Sequence, residues 1–116
     1  MRALARVGVL GAVVVLLTAC AGPEAEVARE ESAQVHYDIG LGALAENNLH
    51  KAISELKLAV QENPRLARHH YALGNAYLRN RQFDEAIVSL RRGTEIDPRM
   101  SDAWNDLGIA YIQKQQ

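Results

Sequence analysis

Residues 67–100 read ARHHYALGNAYLRNRQFDEAIVSLRRGTEIDPRM, and residues 33–66 read AQVHYDIGLGALAENNLHKAISELKLAVQENPRL. The two stretches align without a gap, and residues 101–116 begin a third copy. Ile39-Gly40, Leu73-Gly74 and Leu107-Gly108 recur every 34 residues, as do His36, His70 and Trp104, and then Ala43, Tyr77 and Tyr111. Later in the unit Ala52 matches Ala86, Leu56 matches Leu90, Ala59 matches Gly93 and Pro64 matches Pro98. A fixed period of this length marks an array of stacked units.

Within a unit the spacing predicts two helices. Positions 70, 73, 74 and 77 follow i, i+3, i+4, i+7, one face of a helix. Ala86, Leu90 and Gly93 make the facing stripe of a second helix, and small residues at Gly74 and Ala86 allow a close approach. Asn80-Arg81-Gln82 is the polar break between them. Asp97-Pro98 ends the second helix because proline disfavours helical backbone at the residue before it, and Asn63-Pro64 does the same one unit earlier. Ser101 is the expected N-cap of the last helix. The fold class is therefore all-α, a solenoid of helix hairpins in which each unit buries its face only against its neighbours.

These positions resemble the tetratricopeptide repeat, with units at 33–66 and 67–100 and the first helix of a third at 101–116. Three departures stand out: Ala43 where Tyr is usual, Gly93 where Ala is usual, and Asn47, Arg81 and Gln115 where a turn Gly is common. Gly93 is expected to weaken its helix by up to about 1 kcal/mol relative to Ala. Two and a half units fall short of the roughly three that such arrays generally need. Either the last helix is a polar-faced cap, or 101–116 opens a longer array. The second is our expectation, because Trp104, Leu107, Ala110 and Tyr111 call for a following helix. The mature chain alone is then expected to melt at low temperature or to self-associate.

The first residues carry an address. Arg2 and Arg6 precede an apolar and glycine run from Val7 to Leu17, the length of a signal core and too short to span a bilayer. Leu17-Thr18-Ala19-Cys20 follows and resembles the lipobox of bacterial lipoproteins. The resemblance implies cleavage after residues 1–19 and lipidation of the Cys20 thiol. About three acyl chains there hold essentially permanently, at about 0.8 kcal/mol per buried methylene. Ala21 stands where an Asp would favour inner-membrane retention, which implies the outer membrane, facing the periplasm. Removing residues 1–19 takes away Arg2 and Arg6 and no acid, so the net charge moves from −1 to −3. Residues 20–32 carry Glu24, Glu26, Glu30 and Glu31 against Arg29 and read as a short acidic, solvated tether that turns helical toward Ser32.

Catalysis and metal or nucleic-acid binding find no support. The chain is 48% apolar and 23% charged with a net charge of −1, which leaves no electrostatic footprint for nucleic acid. A single cysteine excludes an intramolecular disulfide framework. His69 and His70 are adjacent and diverge by about 100° around a helix, so they are not a two-histidine metal site. His36 and His70 stand at a packing position. Asp84-Glu85 lies in the first turn of a helix, where acids favour the dipole. No cofactor is expected, and no catalytic residue.

The resemblance places binding on the first helices, which line a concave groove. The wall residues are Tyr37, Leu41 and Leu44 in the first unit, Arg68, Tyr71, Asn75, Leu78 and Arg79 in the second, and Asn105, Ile109 and Ile112 in the third. Tyr37 and Tyr71 are expected to stack in register. Asn75 offers donor and acceptor to a peptide backbone, and Arg68 and Arg79 suit a carboxylate. Asp102 and Asp106 stand where the chaperone-tail-binding members carry a basic clamp, which disfavours that sub-family. Lipobox, acidic tether and an immediate array together resemble the pilotin lipoproteins of type IV pilus biogenesis, the PilF/PilW group, with Tyr37-Asp38-Ile39-Gly40-Leu41-Gly42-Ala43-Leu44 like their first repeat. The implied partners are secretin subunits of the pilus pore and the membrane that holds the lipid anchor. A general envelope scaffold that docks cell-wall enzymes would carry the same groove. An enzyme with its catalytic part beyond Gln116 is a third reading.

Overall fold

A computed structural model describes residues 22–116. The signal segment 1–19 and the Cys20 lipidation site lie outside the described residues. Five helices follow in order: α1 (Pro23–Ala45), α2 (Leu49–Glu62), α3 (Ala67–Arg79), α4 (Phe83–Ile96) and α5 (Ser101–Gln115). No strand interrupts them among the described residues. Helices α1 with α2 and α3 with α4 form the two hairpins, and α5 packs on α4.

Each hairpin closes on a glycine. A Cβ added to Gly40 would lie 2.6 Å from Cγ of Leu56, and one added to Gly74 would lie 2.6 Å from Cγ of Leu90. Both leucines are fully buried. The first core gathers Ala43, Leu44, Ala52, Leu56, Ala72, Leu73 and Ala76. The second gathers Ala86, Ile87, Leu90, Leu107 and Ala110, and Tyr77 packs against both. Leu107 and Ala110 are thus covered by α4, whereas Trp104 and Tyr111 are about half exposed. Gly108 meets nothing within 4 Å.

The turns inside the hairpins depend on one unusual residue each. Asn47 and Arg81 have φ of 58° and 61°, the left-handed region that glycine occupies without strain. The missing turn glycines are thus strained positions. Between units, Asn63 Oδ1 accepts from the Arg65 amide at 3.2 Å and Asp97 Oδ1 accepts from the Arg99 amide at 3.1 Å. These matching turns reverse the chain around Pro64 and Pro98.

Two expectations about helix starts need correction. The acidic stretch is helical from Pro23, so α1 begins ten residues before the first unit. Proline at the first helical position is pre-set for helix, and Glu24 and Glu26 favour the dipole of the first turn. Ser101 is not an N-cap. The Met100 carbonyl already accepts from the amides of Ala103 and Trp104, so Met100 is the cap and Ser101 is inside the helix.

The glycines make the packing testable. Gly74→Ala should cost about 1–3 kcal/mol, because the added methyl meets the fully buried Leu90 at its branch point and, at 3.2 Å, at its backbone nitrogen. Gly42→Ala, where a Cβ meets nothing within 4 Å, should gain up to about 1 kcal/mol from helix propensity. Urea midpoints of the two variants check both signs, and equal shifts would contradict the packing.

Candidate functional site

Helices α1, α3 and α5 form one layer. α1 touches α3 and α3 touches α5, while α2 and α4 are held apart by an open hollow. The sheet of helices therefore curves toward the α1, α3, α5 side, which is the face where the groove residues were expected.

Inter-unit hydrogen bonds tie this face together. Arg68 donates to Gln34 Oε1 at 2.8 Å and lies over the Tyr37 ring at 5.6 Å. Arg79 donates to Asn47 Oδ1 at 2.9 Å. Asn75 Nδ2 donates to Asp106 Oδ2 at 3.0 Å. Both arginines are thus held by neutral acceptors, and neither is in an ion pair among the described residues. Asn75 has spent one donor on Asp106, which narrows what it offers a peptide. Burial raises the Tyr71 hydroxyl above the usual phenol range, and the carboxylates of Asp106 and then Asp102 add to this.

The apolar wall differs from the sequence expectation. Leu44 is 9% exposed and sits in the first core, because α3 packs over that position. Tyr71 and Leu78 are half-buried against the second core and form floor rather than wall. Leu41, Ile109 and Ile112 remain exposed at 38%, 40% and 59%, and Asn105 is exposed beside them. Tyr37 and Tyr71 do not stack with each other. Tyr37 stacks instead on His69, with ring centroids 4.8 Å apart and planes at 27°.

His69 is the residue that sequence reasoning missed. Its ring is fully buried, and its nitrogens approach the backbone carbonyls of Ala59 and Asn63 without a well-aligned hydrogen bond to either. Repeat alignment contained the signal: the column reads Val35, His69, Ala103, so a histidine stands where the units otherwise place an apolar residue. Burial and then the Arg68 guanidinium lower its pKa below the ordinary 6.5, opposed in part by the backbone carbonyls of Ala59 and Asn63. His70 is also buried but satisfied, 2.8 Å through Nε2 from the Pro64 carbonyl. Trp104, its counterpart, donates to the Pro98 carbonyl at 2.9 Å. His36 has no hairpin before it among the described residues and turns to the second helix of its own unit, 2.6 Å from Glu55 and 3.8 Å from Glu62.

Residues 43–105, just over half of the chain, match the tetratricopeptide repeat family. The chain belongs to that family. No curated protein sequence matches it. Among solved structures, the tetratricopeptide repeat domain of Arabidopsis OM64 shares 22% identity over 71% of this chain and 68% of that one, with a TM-score of 0.69. The MamA protein shares 28% identity over 72% of this chain and 46% of its own, with a TM-score of 0.70. The Sgt2 domain from Aspergillus fumigatus shares 25% over 72% and 55%, with a TM-score of 0.68. The chain spans about half the length of the last two. The OM64 likeness carries the fold alone.

His69 sets a pH dependence. Below 6.5 the unfolded chain takes up a proton that the folded site disfavours. Stability is therefore full above that value and falls as pH drops through it. His69→Phe keeps an aromatic ring against Tyr37 and removes the buried nitrogens. It should stabilise the protein by about 1 kcal/mol at neutral pH and flatten the loss of melting temperature between about pH 7 and pH 5. A variant with the same pH slope as the parent would show that another group carries it.

Proposed function

We propose that this protein is a lipid-anchored adaptor that captures a peptide segment of an envelope partner on the α1, α3, α5 face. Tetratricopeptide repeats bind protein or peptide partners, and that much follows from family membership. The single observation that carries the site is the exposed aliphatic side chains at both ends of one helix layer, Leu41 on α1 and Ile109 and Ile112 on α5, with Arg68 and Arg79 of the intervening α3 free of carboxylate partners among the described residues. An extended partner lying across the layer from α1 to α5 would cover both ends in turn. The two guanidiniums supply a binding point for an acidic or C-terminal group.

Support for the anchor is the sequence Leu17-Thr18-Ala19-Cys20 behind a basic, apolar start. Support for the client is the combination of that anchor with an array that begins only a few residues later, the arrangement of the pilotin lipoproteins. On this reading the lipid sets the location at the outer membrane, and the face holds secretin subunits non-covalently during assembly of the type IV pilus pore.

Leu41→Glu with Ile112→Glu should weaken retention of the secretin partner about tenfold, with helicity by circular dichroism unchanged. These positions are exposed, which makes them better probes than Tyr71 or Leu78, whose loss would disturb the second core. In cells, the same double variant and Cys20→Ser should each reduce heat-resistant secretin multimers on gels. Labelled palmitate should enter the parent and not Cys20→Ser. Unchanged multimers would remove the secretin reading, and palmitate uptake by Cys20→Ser would remove the anchor.

A further inference from the structure

Helix α4 presents an exposed stripe with an apolar residue at its centre, where the exposed stripe of its counterpart α2 has Ser54. Val88 is 70% exposed, and Asp84, Glu85, Arg91, Arg92 and Glu95 are exposed around it. At 100° per residue, all of them lie within about 60° of Val88 around the helix. Within the helix the signs run minus, minus, Val88, plus, plus, minus. Read backwards about Val88, the four central charges meet their opposites: Asp84 and Arg92 are equidistant from Val88, as are Glu85 and Arg91, while Glu95 lies beyond them and pairs with Arg92 of its own helix. In α2 the position of Val88 is Ser54, and the residues equidistant from it include Lys51 and Lys57, a like-charge pair. The self-complementary order thus belongs to α4 and not to the repeat. Beside Val88 lies a hollow of about 440 Å³ between α2 and α4, walled and floored by Val60, Leu73 and Tyr77.

We infer that α4 is a self-association surface on which a second copy of this chain packs antiparallel, across a two-fold axis at Val88. A two-fold contact uses the same patch on both copies, so a helix can serve only if its reversed order complements itself. In that packing the Asp84-Glu85 end of each copy faces the Arg91-Arg92 end of the other, with Glu85 beside the second copy's Arg92. Val88 of each copy lies at the centre, over the hollow. Two existing ion pairs compete: Lys114 with Asp84 at 2.6 Å and Arg92 with Glu95 at 3.2 Å. Both are exposed and exchange at little cost. One helix per copy makes a small contact, so the dimer is weak and reversible, and salt weakens it further. The surface lies on the opposite layer from the proposed peptide face, and the inference does not depend on that proposal.

Sedimentation equilibrium of the full chain carrying Cys20→Ser tests it, since that change leaves α4 untouched. The expected result is a dimer that grows with protein concentration and recedes with salt. Glu85→Arg and Arg92→Glu should each lower the association constant about tenfold, because each places like charges together twice across the axis. The double variant Glu85→Arg, Arg92→Glu should recover most of the loss. A monomer at every concentration would overturn the inference, and is the result if α4 serves a different partner. Association indifferent to the single reversals, or a double variant no better than either single one, would overturn it equally.

Discussion

Leu56 rests on Gly40 and Leu90 rests on Gly74, so closely that a single methyl group would not fit between them. This contact sets the distance between the two helices of each hairpin. Every other apolar contact in the two cores is built around that distance: Ala43, Ala52 and Ala76 on one side of Leu56, Ala86 and Ala110 around Leu90. Short side chains prevail here because the backbones are near. The cores bury much alanine and few large residues, so the fold depends on repeated close approach rather than on a bulky centre. The left-handed backbone at Asn47 and Arg81 is part of the cost of turning the chain that tightly.

Hairpins become an array through a second contact. The ring N–H groups of His70 and Trp104 reach the carbonyls of Pro64 and Pro98, which would otherwise lack an intrahelical partner where α2 and α4 have ended. The same residue column thus joins each hairpin to the next. Where no hairpin precedes it among the described residues, the column behaves differently: His36 pairs with glutamates of its own unit. Further hydrogen bonds then cross the candidate face, from Arg68, Asn75 and Arg79. They orient those side chains before any partner arrives, which lowers the ordering cost of binding. They also consume part of the hydrogen-bonding capacity that the residue types suggest.

Some of this was legible in the sequence. Paired glycines and leucines at constant spacing specify which helices touch, and Asn63-Pro64 and Asp97-Pro98 specify where they end. The candidate face was legible only as a set of columns. Leu41, Ile109 and Ile112 stay exposed as expected, but Leu44 shares a column with Ile112 and is buried, because α3 covers the one and nothing described covers the other. Column position says which way a residue points, whereas burial depends on what lies opposite. His69 was hidden for a related reason. A polar residue type reads as surface until the repeat column beside it shows only apolar neighbours.

The sequence by itself determined the all-α repeat architecture, the hairpin limits and the membership of the tetratricopeptide repeat family, because these follow from local periodicity and from turn chemistry that acts over a few residues. Tertiary structure alone decided the rest. It made Tyr37 stack on His69 rather than on Tyr71, engaged Asn75 with Asp106, and left Val88 standing on an open stripe of charged residues. Each of these outcomes depends on the distance and angle between different units, which no single 34-residue period contains.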